Sequence, residues 1–298
     1  MHTVLAWSIV TLAVGVAPLH AREAQRTPRP PDTDQTVTVA RGARLTINNL
    51  AGEVIIRTWD RDSLRVTARH SSRTKIDVRV TPAAVTIRSS SSTGAASVDY
   101  DITAPVWMPV KVDGTYNFVS IEGAQSEVSA TTVRGDILIK GGTGFVTAKS
   151  IEGIVTVDGA KGRINASSVN EGIRITGSSG DITAETTNGD IALSNVEARS
   201  VEIGTVNGDV TFEGRLAGGR YRFATHNGDI RLTIPEDADA TFSVRTYNGG
   251  FRTDLPLQGG KPADVRRGRR VTFTLGSGAA EVELESFGGT IWIVRPGS

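Results

Sequence analysis

Apolar and polar residues alternate with a period of two along much of this chain, and the alternation restarts after a recurring glycine. The stretches "TTNGDIALSN", "TVNGDVTFEG" and "THNGDIRLTI" share an Asn-Gly-Asp turn followed by apolar residues at every second position. Alternation of this kind predicts short, half-buried β-strands. The predicted inward pairs are Ile137 and Ile139, Val155 and Val157, Ile173 and Ile175, Ile191 and Leu193, Val210 and Phe212, and Ile230 and Leu232.

The turn glycines recur at nearly constant spacing. Intervals of 18, 19, 17, 19, 20 and 21 residues separate Gly135, Gly153, Gly172, Gly189, Gly208, Gly228 and Gly249. A second short strand, such as "FVTAKSI" or "DITAETT", lies halfway through each interval. One circuit of strand, turn, strand and turn in about 19 residues is typical of a β-solenoid, whose stacked coils bury a continuous core.

An antiparallel meander or sandwich is the alternative fold, because Asn-Gly is also a strong hairpin signal. A hairpin turn separates two similar strands, whereas here the segments before and after each turn differ in a consistent way. We therefore predict an all-β protein built as a parallel β-helix, or β-solenoid, with coils of about 19 residues. Longer, less regular strands near the N-terminus predict an antiparallel β region that caps the first coil.

These patterns divide the chain into four predicted segments. Residues 1–21 are apolar, lack Asp, Glu, Lys and Arg, and end in small residues, which predicts a signal peptide cleaved after Ala21. Residues 22–34 are polar and proline-rich, which predicts a flexible linker. Residues 35–115 are expected to form the N-terminal β region or cap, and residues 116–298 the solenoid repeats with C-terminal closing strands.

The composition argues against several classes of function. The chain has no cysteine, which excludes disulfides and thiol catalysis. Its 33 basic residues nearly balance its 32 acidic residues, so no nucleic acid is expected as a partner. No second apolar stretch of about 18 residues occurs, so no transmembrane span is expected after removal of the signal. We expect an exported protein of the periplasm or the cell surface.

Three features of the sequence together resemble a known family. An aromatic-Asp-Arg-Asp turn lies in "RTWDRDSLRVTA", the repeats include "VRGDILI", "TNGDIAL", "VNGDVTF" and "HNGDIRL", and "SFGGTIWI" ends the series. In this order they resemble a bacterial envelope family of candidate adhesins, a domain of unknown function, over most of residues 35–298. The resemblance implies a β-solenoid or β-roll with an export signal, and it implies no catalytic residues.

Stacking in register would bring equivalent turn residues of successive coils together. Their side-chain oxygens could hold a cation or line a sugar-binding edge, or they could form a hydrogen-bonded ladder that supports the turns. The structural role is favoured, and neither a metal nor a cofactor is expected. The candidate ligand-facing residues are Asn188, Asp190, Asn207, Asp209, Asn227, Asp229 and Asn248.

The even coil length also bears on function. It leaves no room for the inserted loops that build a substrate cleft on β-helix carbohydrate-active enzymes, so catalysis is not expected. The sequence predicts a non-enzymatic, adhesin-like binding or structural module of the cell envelope, whose repeated weak contacts add along its length. Its partner would be an envelope glycan or protein. The alternative is an envelope-stress sensing or regulatory protein that acts through a protein partner.

Overall fold

The computed structural model describes residues 30–92, 94–255 and 270–297; the predicted signal peptide and residues 22–29 of the predicted linker lie outside the described residues. The described ranges contain no helical segment of the length and hydropathy that a membrane span needs. The first strands are β1 (Thr33–Thr38), β2 (Arg44–Trp59), β3 (Ser63–Arg69), β4 (Thr74–Val80), β5 (Ala84–Ser91), β6 (Asp99–Pro105), β7 (Val110–Ala124), β8 (Val128–Thr131), β9 (Ile137–Gly141), β10 (Thr143–Lys149) and β11 (Val155–Asp158). They are followed by β12 (Lys161–Ser167), β13 (Ile173–Thr176), β14 (Ser179–Glu185), β15 (Ile191–Asn207), β16 (Val210–Asn227), β17 (Ile230–Thr233), β18 (Ala240–Thr246), β19 (Phe251–Thr253), β20 (Arg270–Leu275), β21 (Ala280–Ser286) and β22 (Ile291–Val294).

Successive coils stack as parallel strands in register, which confirms the predicted fold. On one face of the solenoid, called face A, β9, β11 and β13 pair through Ile137, Val155 and Ile173. On the other, called face B, β10, β12 and β14 pair along their whole length. The inward aliphatic side chains of both faces are buried. Their removal from water, at about 25 cal/mol per Å², is the main force that holds the coils together.

The register differs from the glycine alignment at one coil. Val155, Ile173 and Ile191 are paired at intervals of 18 residues. Glu171, and not Gly172, therefore stands in the turn-glycine position of this coil. The buried aliphatic residues fix the register, because a shift by one residue would turn them toward water.

The N-terminal region combines the expected antiparallel strands with parallel coils. β1 pairs antiparallel with β3, β3 with β6, and β4 with β5. β2, in contrast, contributes to both faces in one strand of 16 residues. It pairs in parallel with β7 on one side and with β5 and β6 on the other. Parallel stacking therefore begins before residue 116, and the predicted boundary falls inside β7.

Of the predicted closing strands, β20 lies at the end of the solenoid, whereas β21 and β22 are inserted between earlier strands, which corrects part of the expectation. β21 pairs in parallel with both β16 and β18, and β22 with both β17 and β19. The last coil is therefore made by β18 and β19, with β20 antiparallel to β18. Val282 of β21 lies in register between Tyr221 and Phe242. An inserted strand buries apolar surface against two neighbours instead of one, which favours this order.

Asp239 holds the turn that leads from β20 into β21. Its Oδ1 accepts hydrogen bonds from the backbone N–H groups of Gly278 and Ala279, and Ser277 Oγ donates to Oδ2 at 2.7 Å. These donors stabilise the ionised carboxylate. They hold the pKa of Asp239 below its ordinary value of 3.8, with the Ser277 hydroxyl as the largest cause.

We expect the Asp239 turn to make the protein acid-sensitive. A carboxyl group whose pKa is lower in the folded than in the unfolded chain contributes stability above the unfolded-state pKa, and this contribution is lost as the pH falls through the folded-state value. Urea unfolding between about pH 5 and pH 3 should therefore show a steeper loss in wild type than in Asp239→Asn. Asp237→Asn, which removes a neighbouring exposed carboxylate, is the control. Equal slopes for wild type and Asp239→Asn would contradict the prediction.

Candidate functional site

The predicted turn residues lie along one corner of the solenoid, where face B leads into face A. The Asn207 amide donates to Oδ1 of Asn188 at 2.8 Å, and the Asn227 amide donates to Oδ1 of Asn207 at 2.8 Å. Asn170, which was not predicted because Glu171 separates it from Gly172, extends the row. Nδ2 of Asn188 donates to its Oδ1 at 3.2 Å. These four exposed asparagines are called the Asn ladder.

The aspartates beside the Asn ladder hold the backbone of the next coil. Oδ1 of Asp190 accepts the N–H of Asp209 at 2.8 Å, and Oδ1 of Asp209 accepts the N–H of Asp229 at the same distance. Oδ1 of Asp229 in turn accepts the N–H of Thr290 at 2.7 Å. This geometry is the turn-supporting role that was favoured from the sequence. Within the described ranges, no group of three or more His, Cys, Asp or Glu residues is placed to hold a metal ion.

Asn248 does not extend the ladder from Asn227, which corrects the prediction. The coil of β21 and β22 lies between the two residues, and its Gly288 follows Asn227 in register. The N–H of Asn248 accordingly donates to the carbonyl of Phe287, at 2.9 Å. The spacing in the sequence suggested direct contact because it gave no sign that a later segment is inserted here.

A column of buried hydroxyls lies beneath the corner and was not predicted. Thr205 Oγ1 donates to the carbonyl of Gly189 at 3.0 Å, and Thr225 Oγ1 donates to that of Gly208 at 2.9 Å. These hydroxyls donate to backbone carbonyls of the turns that the hydrogen bonds between paired strands do not use. The signal was a Ser or Thr two residues before the Asn position. The column consists of Thr132, Ser150, Ser168, Thr186, Thr205, Thr225, Ser286 and Thr246.

An exposed, mainly apolar column lies between the buried hydroxyls and the Asn ladder. We call it the apolar ridge, and its members are Leu50, Thr115, Val133, Ile151, Val169, Thr187, Val206, His226, Phe287 and Tyr247. Its aliphatic members and Phe287 are each between 39% and 45% exposed. Nine steps of about 4.8 Å give the ridge a length of about 43 Å. Single exposed apolar residues are ordinary, whereas in this ridge Val133, Ile151 and Val169 place exposed aliphatic side chains on three successive coils.

Aromatic rings form the C-terminal end of the apolar ridge. The His226 and Phe287 rings are stacked, with centroids 4.6 Å apart and an interplanar angle of 4°. Tyr247 continues the row, with its ring centroid 5.4 Å from that of Phe287. Since neighbours cover both faces of the Phe287 ring, it presents its edge to solvent.

The chain is similar to one family of known domains over most of its length. The model of the Toastrack DUF4097 family matches residues 43–293. Among solved structures, the chain is similar to a candidate cell adhesion protein from Clostridium sporogenes ATCC 15579, determined at 1.95 Å. That match has 11% identity, covers 90% of this chain and 100% of the other, and has a TM-score of 0.21, which is too low to support an argument. No curated protein matches. Because the family model spans the stacked coils from β2 to β22, this chain belongs to the Toastrack DUF4097 family.

Proposed function

We propose that this protein is an exported, non-enzymatic binding module of the bacterial cell envelope, of the adhesin-like kind. It engages an envelope ligand through the corner formed by the apolar ridge and the Asn ladder. The observation that carries the proposal is the corner itself: the apolar ridge runs over ten coils, and in four of them an asparagine of the Asn ladder lies beside it.

The arrangement suits many weak contacts made at once. Each coil adds one ridge residue and one turn residue at the same spacing, so a long ligand meets a repeated surface. Contacts of this kind add along a rigid support without a deep pocket, because the ordering cost is paid mainly by the first contacts. The parallel stacking in register supplies that rigidity.

The apolar ridge and the Asn ladder contribute little charge themselves, whereas the exposed carboxylates of Asp190, Asp209 and Asp229 lie beside the ladder. The Asn ladder is neutral, and in the coils before it Arg134 and Glu152 pair with each other through Nε and Oε2. Salt screens interactions between exposed charges and leaves apolar contacts intact. Binding of an uncharged ligand through the ridge and the Asn ladder is therefore expected to persist at high ionic strength.

Replacing ridge residues tests the proposal. The triple variant Val133→Ser, Ile151→Ser and Val169→Ser removes adjacent apolar side chains from the ridge without touching the core. Retention of immobilised bacterial envelope material by the mature chain should fall at least about tenfold, which corresponds to about 1.4 kcal/mol. The matched control is Val80→Ser with Phe145→Ser, two residues outside the ridge that are 43% and 54% exposed.

The outcome also separates the adhesive from the regulatory function. Glycan retained by the wild type and lost from the ridge variant supports the adhesin-like function. If the retained material is a single protein, the envelope-sensing alternative takes its place. Equal retention by the ridge variant and its control would show that the ridge is not the binding surface.

A further inference from the structure

The Asn ladder is interrupted at one step. Asn227 donates its amide to Asn207, and in the next coil Gly288 occupies the position where another asparagine would stand. Asn248 follows one coil further on. The two asparagines flank a gap of two coil spacings, about 9.6 Å. Within the described residues, Oδ1 of Asn227 and the side-chain amide of Asn248 have no hydrogen-bond partner.

The backbone does not require glycine at position 288. A Cβ atom added at Gly289 would lie 1.9 Å from the carbonyl oxygen of Gly228, and one added at Gly249 would lie 1.8 Å from that of Gly289. At Gly288 the nearest atoms would be the carbonyl oxygen of His226 at 3.3 Å and Oδ1 of Asn227 at 3.4 Å. The φ angle of Gly288 is not in the left-handed region either. A side chain fits there after a shift of a few tenths of an ångström, so the gap is not a consequence of turn geometry.

The groups around the gap can bind hydroxyls as well as an amide. Asp229 lies two residues after Asn227, at the end of the turn that leads into face A. Its Oδ1 accepts the N–H of Thr290, which leaves Oδ2 without a hydrogen bond among the described residues. Thr290 adds a side-chain hydroxyl in the next coil. On the other side of the gap, Phe287 presents an exposed ring edge.

We propose that this gap, which we call the Gly288 notch, binds the acetamido group of an N-acetylated sugar. A trans secondary amide directs its N–H and its carbonyl in opposite directions, as each step of an amide ladder does. The ligand N–H would donate to Oδ1 of Asn227, and its carbonyl would accept from Nδ2 of Asn248. Ring hydroxyls would bind Asp229 and Thr290, and the acetamido methyl would contact the edge of Phe287.

The notch favours a sugar over a peptide because the gap between Asn227 and Asn248 has room for one amide group only. An extended peptide carries an amide at every residue, and the neighbouring steps of this corner are already filled by the Asn ladder. The inference rests on the proposed function of the corner and names the ligand class at one point of it.

Isothermal titration of the mature chain with two neutral trisaccharides tests the notch. Tri-N-acetylchitotriose and cellotriose share the same linkage and differ at the acetamido group. We expect tri-N-acetylchitotriose to bind at least about tenfold more tightly. N-acetylalanine N-methylamide, a small peptide analogue, is the third probe. If it binds as tightly as tri-N-acetylchitotriose, the notch binds a peptide-like amide and the assignment to a sugar is overturned.

Gly288→Asn is the decisive variant, because its side chain would complete the ladder between Asn227 and Asn248. We expect it to bind tri-N-acetylchitotriose at least about tenfold more weakly while its urea midpoint equals or exceeds that of wild type. Gly204→Asn is the matched control, since a Cβ at Gly204 meets no atom within 4 Å. Unchanged affinity in Gly288→Asn, or equal affinity of wild type for the two trisaccharides, overturns the notch. If the notch fails this test but retention of envelope material still depends on the ridge, the proposed function stands and only the notch is rejected. If retention does not depend on the ridge either, the notch and the proposed function are both rejected.

Discussion

Gly228→Ala is expected to destabilise the folded protein by about 3 kcal/mol or more. Turn glycines of successive coils are stacked so closely that a Cβ at Gly228 would lie 2.0 Å from the carbonyl oxygen of Gly208. The obstructing atom belongs to the backbone, so no rotamer change relieves the clash. Alanine can be accommodated only if two coils separate, and separation breaks the hydrogen bonds on either side of the turn.

Urea unfolding followed by circular dichroism measures this effect, and the same chain supplies a control. Gly288→Ala places a methyl group in the turn at 3.3 Å from the nearest backbone atom, the carbonyl oxygen of His226, which a shift of a few tenths of an ångström relieves. It should change the free energy of unfolding by less than about 0.5 kcal/mol. A Gly228→Ala protein as stable as Gly288→Ala would mean that the coils are not stacked as tightly as described.

Phe212→Ala is expected to cost about 3–5 kcal/mol, through lost burial and the cavity left behind. The Phe212 side chain is fully buried. Its ring packs edge-on against Tyr221 and Phe223, with centroid distances of 6.2 and 5.4 Å. These rings come from both faces of the same coil, so their loss would loosen face A from face B near the inserted C-terminal coil.

The exposed Phe145 provides the comparison for Phe212. It is 54% exposed, and the Arg163 guanidinium lies 5.5 Å from its ring centroid. Phe145→Ala should cost less than about 1 kcal/mol, since it removes one exposed cation–π contact and little burial. Similar losses of unfolding free energy in the two variants would argue against a continuous core at Phe212.

The coil was predictable because its rules are local. Strand alternation, a turn at a fixed interval and a glycine at the corner all appear within one repeat, and Val155 pairs with Ile137 as the pattern indicates. The contacts of Asn188, Asn207 and Asn227 also followed from spacing, since nothing is inserted between their coils. Asn170 was missed because its turn reads Asn-Glu-Gly.

The sequence by itself determined the repeat, the inward residues and the position of the polar turns, because each depends on neighbours within one coil. The tertiary structure alone decided which coil lies next to which at the two ends. β2 lies between later strands, and β21 with β22 enters between earlier ones. That order depends on where each segment buries most apolar surface, a comparison among distant parts of the chain that no local pattern encodes. The break in the Asn ladder at Gly288 follows from this order.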